Sequence, residues 1–265
     1  MPTRAREHDE EELLEDLAAA LERDEFRLEY QPVVRLGSAA VVGAEALIRW
    51  RHPRRGTLAP PDFLPAAERS GLIDEIGSFV LEQACRAAAG WPKPADPAPY
   101  VSVNVMPGQL AAADAAERIL ATVMGTGLAP SLLVLELTGS VGAAADEIGR
   151  NLASLREAGV RVALDDFGSV TSLRDLKRLT VDFVKLDREF VIDVDGPPAD
   201  AAFALAVLNL ADARGAEALA KGIESREQAW RLAELGCRYG QGFFFSKPLG
   251  ATGMVAVLRK GSLRN

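Results

Sequence analysis

Val162-Ala163-Leu164-Asp165-Asp166-Phe167-Gly168 places two adjacent carboxylates at the end of an apolar, strand-like run, followed by a glycine turn. Neighbouring residues on a strand point to opposite sides, so such a pair could hold one cation between them or two side by side. Alone, an Asp-Asp pair reads equally as a solvated loop with an aspartate cap. The wider pattern changes that reading, because several other apolar runs also end in polar or charged residues. These are Glu45 with Arg49, Asn104, Glu136, Lys185, Lys221 with Glu224, and Gln241. Carboxylates and an amide without histidine or thiolate make an oxygen-rich set, suited to Mg²⁺ or Mn²⁺ rather than zinc or copper. A divalent metal beside an arginine and a lysine points to phosphoryl chemistry, in which the metal activates water and clamps the phosphate.

For these side chains to act together, the elements carrying them must bring their ends to one place. Leu13, Leu14, Leu17 and Leu21 recur at helical spacing within 10–23, which predicts an amphipathic helix packed on the domain. Residues 26–36 and 41–50 read as strands joined through Gly37-Ser38 and able to pair as a hairpin. Helices are predicted over 60–69, opened by prolines, and over 73–89, closed by Gly90, with a proline-rich loop at 91–99. From Tyr100 the order becomes regular. Strand-like runs at 101–105, 132–137, 160–164, 183–186 and 217–220 alternate with helices near 113–124, 146–157, 172–178, 200–214 and 226–235. A last short strand precedes Gln241, and a helix covers 254–260.

This alternation argues for parallel βα units in an α/β fold. About eight strands favour a TIM-type (β/α)8 barrel, whose functional groups gather at the C-terminal strand ends. A doubly wound sheet is the alternative. No linker or compositional shift divides the chain, so residues 1–265 are expected to form one barrel domain, with 1–24 as an N-terminal helix packed on it.

Composition narrows the partners. Thirty basic against 38 acidic side chains leave a net charge of −8, which argues against a nucleic-acid polymer held through its phosphates. Phosphate recognition then has to come from a local cluster of arginine and lysine or from a metal. Cys85 and Cys237 have neither CxxC spacing nor histidine neighbours and read as reduced core thiols of a cytoplasmic protein. With only His8 and His52 present, histidine general-base chemistry has few candidates. The charged N-terminus predicts no secretory leader. The longest apolar run, at 201–208, falls short of the ~18–20 residues that span a bilayer, and no membrane partner is expected.

Glu45-Ala46-Leu47-Ile48-Arg49 resembles the signature of the EAL domain, the bacterial cyclic-di-GMP phosphodiesterase family. The match is ordered over nearly the whole chain. It takes in Tyr30-Gln31-Pro32-Val33-Val34, Trp50-Arg51-His52-Pro53, Phe63-Leu64-Pro65-Ala66-Ala67-Glu68 and Val103-Asn104-Val105. It continues through Leu135-Glu136-Leu137-Thr138, the Asp165-Asp166 run, Val181-Asp182-Phe183-Val184-Lys185-Leu186-Asp187, Gly240-Gln241-Gly242-Phe243 and Ser246-Lys247-Pro248-Leu249. The resemblance implies a modified TIM barrel with one antiparallel strand and a ligand of two guanosines joined by two phosphates. It further implies that Glu45, Asn104, Glu136 and Asp165 hold a first metal, Mg²⁺ or Mn²⁺, and that Asp166 belongs to a second. Leu47 belongs to the signature itself and falls within the implied ligand site, as does Glu224. Arg49 would contact phosphate, Gln31 and Gln241 would line the nucleotide pocket, and Lys185 would orient the attacking water or the scissile phosphate. If the site is active, Lys185, Glu45 and Asp165 are its catalytic group. Each residue alone also has an ordinary reading, Arg49 as a surface ion pair and Lys185 as a solvated strand end. His52, in the Trp-Arg-His-Pro turn, reads as structural.

Three departures bear on activity. Active members carry a second-metal glutamate where this chain has Lys221, in Ala220-Lys221-Gly222-Ile223-Glu224. An ammonium there repels a second cation and leaves at most one metal site, unless Lys221 swings away into solvent. Gly139 stands where the family usually has a glutamate that braces the loop after the Asp-Asp pair. That loop is one residue shorter than usual and lacks its second glycine and its tyrosine. Because the loop is associated with dimer coupling in the family, a homodimer is put in question. The leading reading is a receptor that binds cyclic di-GMP with little or no hydrolysis. The alternatives are a slow phosphodiesterase giving linear pGpG and a nucleotide-independent module for a protein partner.

Overall fold

The computed structural model describes residues 12–93, 97–168 and 171–263. The start of the predicted first helix, three residues of the proline-rich loop, and positions 169 and 170 after the Asp-Asp pair therefore lie outside the described residues. The strands are β1 (Phe26–Arg35), β2 (Ala40–His52), β3 (Gly56–Leu58), β4 (Tyr100–Val105), β5 (Leu133–Leu137), β6 (Arg161–Phe167), β7 (Phe183–Leu186), β8 (Glu217–Ala220) and β9 (Tyr239–Gly240). They lie in the order β1-β9-β8-β7-β6-β5-β4-β2-β3, and a further pairing of β1 with β2 closes eight of them into a barrel. β1 is antiparallel to both β2 and β9, whereas β2 and β4 to β9 run parallel. The fold is the modified TIM barrel expected from the sequence, and β3 is a hairpin extension of β2 outside the closed ring.

Helices cover the outside. They are α1 (residues 12–20), α2 (Pro60–Ser70), α3 (Ile73–Ala89), α4 (Pro107–Leu110), α5 (Ala115–Thr126), α6 (Ala145–Glu157), α7 (Leu173–Arg178), α8 (Pro198–Ala213), α9 (Arg226–Glu234) and α10 (Ala251–Lys260). β3 and α4 escaped the sequence reading because elements of three or four residues carry no measurable periodicity. α1 buries Leu17 and Ala20 in the main core and reaches the end of β2 through polar contacts. Buried His52 accepts the N–H groups of Arg54 and Arg55 on Nδ1, so Nε2 carries its proton, and Asp16 of α1 lies 3.1 Å from that nitrogen. Arg54 adds contacts of 2.6 Å to both Glu12 and Asp16. Arg54 thus holds α1 on the β2–β3 hairpin, while His52 shapes the turn through Nδ1.

The barrel interior follows from strand alternation. A separate buried cluster of Val33, Tyr100, Val134, Ala163, Phe183 and Leu219, with Tyr239 packed against it, fills the lower layer. Residues two apart share a face. One step on, the inward positions are therefore Glu136 on β5, Asp165 on β6, Lys185 on β7, Lys221 just past β8 and Gln241 just past β9. Asn104 follows Tyr100 by two such steps, and on the reversed β1 the step runs backwards, from Val33 to Gln31. Arg161 caps the plug from below, its guanidinium over the rings of Tyr100 at 4.7 Å and Phe183 at 5.4 Å. Water is excluded from beneath the polar layer.

Truncating the largest apolar ring of this plug tests its role. Phe183→Ala is expected to lower the unfolding free energy by about 3–5 kcal/mol, measured by urea denaturation. A loss under ~1 kcal/mol would mean that the interior collapses around the cavity and the plug supports little.

Candidate functional site

The inward residues meet at the C-terminal mouth of the barrel. Oxygen atoms of Glu45, Glu136 and Asp165 lie within 4.8 Å of one another, and all three side chains are buried. In their midst is Lys185, fully buried, with Nζ 2.8 Å from Glu45, 2.5 Å from Glu136 and 3.9 Å from Asp165. This corrects the reading of Lys185 as a solvated strand end. Its strand position faces inward, and burial of an ammonium is tolerable because three carboxylates surround it. Asn104 donates from Nδ2 to Glu45 at 2.8 Å, while its oxygen accepts from Thr138 Oγ1 at 3.0 Å. Gln241 donates to Glu45 at 2.6 Å. Glu45 is thus the most heavily bonded member of the set.

The Asp165–Asp166 pair departs from the expected geometry. A regular strand would turn the two carboxylates to opposite faces. Here Leu164 pairs with Val184 and Phe167 with Leu186, so two residues of β6 stand opposite the single Lys185 of β7. This is a β-bulge. Asp166 adopts φ of +47°, a region uncommon for non-glycine residues, though aspartate is among those that tolerate it; such conformations cost ~1–3 kcal/mol. The bulge brings both carboxylates to one cation. Lys221 Nζ lies 2.7 Å from Asp165 Oδ1 and 2.5 Å from Asp166 Oδ1. The alternative in which Lys221 turns away into solvent is therefore overturned, since two charge-assisted hydrogen bonds hold it over the pair.

Burial and neighbouring charge act against each other throughout the cluster. Burial pushes Glu45 up, but the ammoniums of Lys185 and Lys221 outweigh it and hold this carboxyl at about 2. Burial and the charge of Glu45 push Glu136 up to about 8. Burial lowers both lysines, yet the surrounding carboxylates raise them above the ordinary lysine value, so both remain ammoniums. The donor set itself suits a hard divalent cation. Gln241 Oε1 and Ser102 Oγ are buried without a hydrogen-bond partner among the described residues, a spare acceptor capacity of the kind a cation or polar ligand satisfies.

Beside the cluster runs a groove of about 400 Å³, lined by Gln31, Leu47, Arg49, Lys221, Glu224 and Gln241 among others. Leu47 also borders a second hollow of about 440 Å³, which reaches Asn104, Asp165 and Asp166. The groove residues do not all touch the cluster. Gln31 donates to the carbonyl of Ser246 at 2.5 Å. Arg49 pairs with Glu29 at 2.9 Å, so its ordinary reading as an ion pair describes its state here. Glu224 pairs with Arg188 at 2.7 Å. Arg188 and Thr138 were missed in the sequence. Arg188 lines the groove, and its stem lies over Gly222, where a Cβ would come within 2.6 Å of Arg188 Cγ. Thr138 fixes which way Asn104 faces. The only available signal was their position just beyond strand ends.

Comparison with known proteins gives this arrangement a context. Residues 14–248 match the EAL domain family. Uncharacterized protein Rv1357c of Mycobacterium tuberculosis is 40% identical over 240 residues, covering 88% of this chain and 78% of that protein. The bifunctional diguanylate cyclase/cyclic di-GMP phosphodiesterase MucR of Pseudomonas aeruginosa is 37% identical over 247 residues, 92% of this chain but only 36% of its own length. The solved PaMucR phosphodiesterase in complex with c-di-GMP superposes with a TM-score of 0.85 at 37% identity, covering 92% of this chain and 99% of that one. The EAL enzyme Bd1971, in a form with cAMP and cyclic-di-GMP bound, gives 0.89 at 29% identity, over 96% and 70% of the respective chains. With its motifs in order, its barrel inverted at β1 and its carboxylates at the strand ends, the chain belongs to the EAL domain family.

Proposed function

We propose that this protein is a cyclic-di-GMP receptor of the bacterial cytoplasm that hydrolyses its ligand little or not at all. The single observation carrying this reading is the Lys221 ammonium bridging Asp165 and Asp166. The relatives named as phosphodiesterases, and the c-di-GMP complexes among the similar structures, support the ligand. The cyclic dinucleotide would lie along the groove of Gln31, Leu47, Arg49, Lys221, Glu224 and Gln241 and reach Asp166 in the adjoining hollow, with Arg49 exchanging Glu29 for a phosphate. Glu45, Glu136 and Asp165, with Asn104 alongside, would be the ligands of one Mg²⁺ or Mn²⁺, which would have to share the cluster with Lys185. An ion bound there would polarise a phosphate oxygen and acidify water. Between Asp165 and Asp166 the site is different. Two unit positive charges ~4 Å apart repel by about 4 kcal/mol at an effective dielectric of ~20, and a divalent ion doubles this. Lys221 would therefore supply part of the charge of a second cation without its ability to acidify a coordinated water. The free, buried thiols of Cys85 and Cys237 suit a reducing compartment. Among the described residues no helix is long and apolar enough to cross a membrane.

The intact triad of Glu45, Glu136 and Asp165 favours a second reading, a slow one-metal phosphodiesterase that yields linear pGpG. Calorimetry separates the two. Titrating cyclic di-GMP into the protein with Mg²⁺ present is expected to give a saturable isotherm; heat that persists after each injection would mean turnover and defeat the receptor reading. Lys221→Glu is expected to raise pGpG formation by at least about tenfold with Mn²⁺, read by chromatography of the products, because it restores a carboxylate in place of a repelling charge. No gain would mean that Lys221 is not what limits hydrolysis. Arg49→Ala is expected to weaken cyclic-di-GMP binding by about tenfold or more, as loss of a charged hydrogen bond does. Unchanged affinity would remove Arg49 from the ligand site.

A further inference from the structure

β6 leaves its ladder with β7 between Leu164 and Phe167, so the main-chain groups of Asp165 and Asp166 must be satisfied elsewhere. One residue takes both carbonyls. Thr171 Oγ1 donates to the Asp165 carbonyl at 2.6 Å, and the Thr171 N–H donates to the Asp166 carbonyl at 3.1 Å. The carbonyl of Thr171 in turn accepts the Gly168 N–H at 3.1 Å, and Thr171 forms a parallel bridge with Phe167. The residue is 1% exposed, so water does not compete for the hydroxyl. Position 139, beyond the end of neighbouring β5, offers no side chain for such a role. It is a glycine at φ +99°, with the ring of Pro107 3.8 Å from where a Cβ would stand.

We propose that Thr171 is a positioning residue for this site. Its hydroxyl locks the bulge in the form that turns Asp165 and Asp166 onto the same ammonium, and through them it sets where Lys221 stands in the groove. The two carboxylates alone do not define this geometry, because an unbraced strand would point them apart. The expected effect on ligand affinity rests on the receptor reading above. The effect on the bulge does not.

The test compares Thr171→Val, which keeps shape and β-branching but loses the hydroxyl, with Thr171→Ser, which keeps the hydroxyl. Amide exchange by NMR in the ligand-free protein is expected to speed up at Asp166 and Gly168 by at least about tenfold in T171V and to stay near wild type in T171S. Cyclic-di-GMP affinity by calorimetry is expected to fall by about tenfold in T171V and to return in T171S. Melting temperatures are expected to stay within about 3 °C, separating local positioning from general loss of structure. Wild-type exchange in T171V, or T171S as impaired as T171V, overturns the proposal. If the wild type binds no cyclic di-GMP, the receptor reading fails and the exchange comparison alone decides the role of Thr171. Should T171V not fold, Thr171→Ala carries the same expectation without crowding.

Discussion

A dry barrel mouth cannot hold Glu45, Glu136, Asp165 and Asp166 together unless cations stand among them. Three buried carboxyl groups within 4.8 Å of one another, with Asp166 beside them at the rim, resist carrying full negative charge, and burial with the charge of Glu45 already pushes Glu136 up to about 8. This chain meets the constraint from within. Lys185 neutralises the deep side of the cluster and Lys221 the rim, so the polar layer is cohesive through its own side chains. The same two ammoniums define the chemistry left over. A site whose charge is balanced by fixed lysines has less need of metal to be stable, and on the receptor reading proposed above it would also have less capacity to generate hydroxide.

The layer above depends on the layer below. Tyr100, Val134, Ala163, Phe183, Leu219 and Tyr239 each precede a polar site residue by one or two inward steps, so packing the plug correctly registers the carboxylates and lysines at once. Ala163 is small where its neighbours are large, and Arg161 below it spreads over two aromatic rings. Interdigitation of small and large groups is what keeps the interior of a small barrel filled. The functional layer inherits its rigidity from an apolar one.

The sequence was legible where periodicity is strong. The βα alternation after Tyr100, the β1–β2 hairpin and the polar strand ends could all be read, and helix α3 and strands β7 and β8 fall at the predicted limits. Inward facing could also have been read, since Phe183 and Lys185 are two apart on a strand. The bulge could not. Nothing in Asp165-Asp166 says that the second residue will adopt a left-handed φ; that is decided by pairing with β7 and by Thr171, both set by tertiary context. The partners of Lys185 and Lys221 are likewise products of convergence, since Glu45 lies 140 residues from Lys185 along the chain. Arg49 and Glu224 were legible as groove residues, but their ion pairs with Glu29 and Arg188 were not.

The reversal of β1 has a geometric consequence for traffic through the molecule. In a barrel of uniformly parallel strands, the chain enters at the end opposite the functional mouth. Here β1 runs against its neighbours, with Phe26 opposite Trp50 near the C-terminal end of β2. The backbone thus arrives on the rim that carries the carboxylates, and α1 is moored there through Glu12, Asp16 and Arg54. Strand β2, which ends at that mooring, also bears Glu45, Leu47 and Arg49. The path from the leading helix to the groove therefore follows one strand and does not cross the length of the barrel.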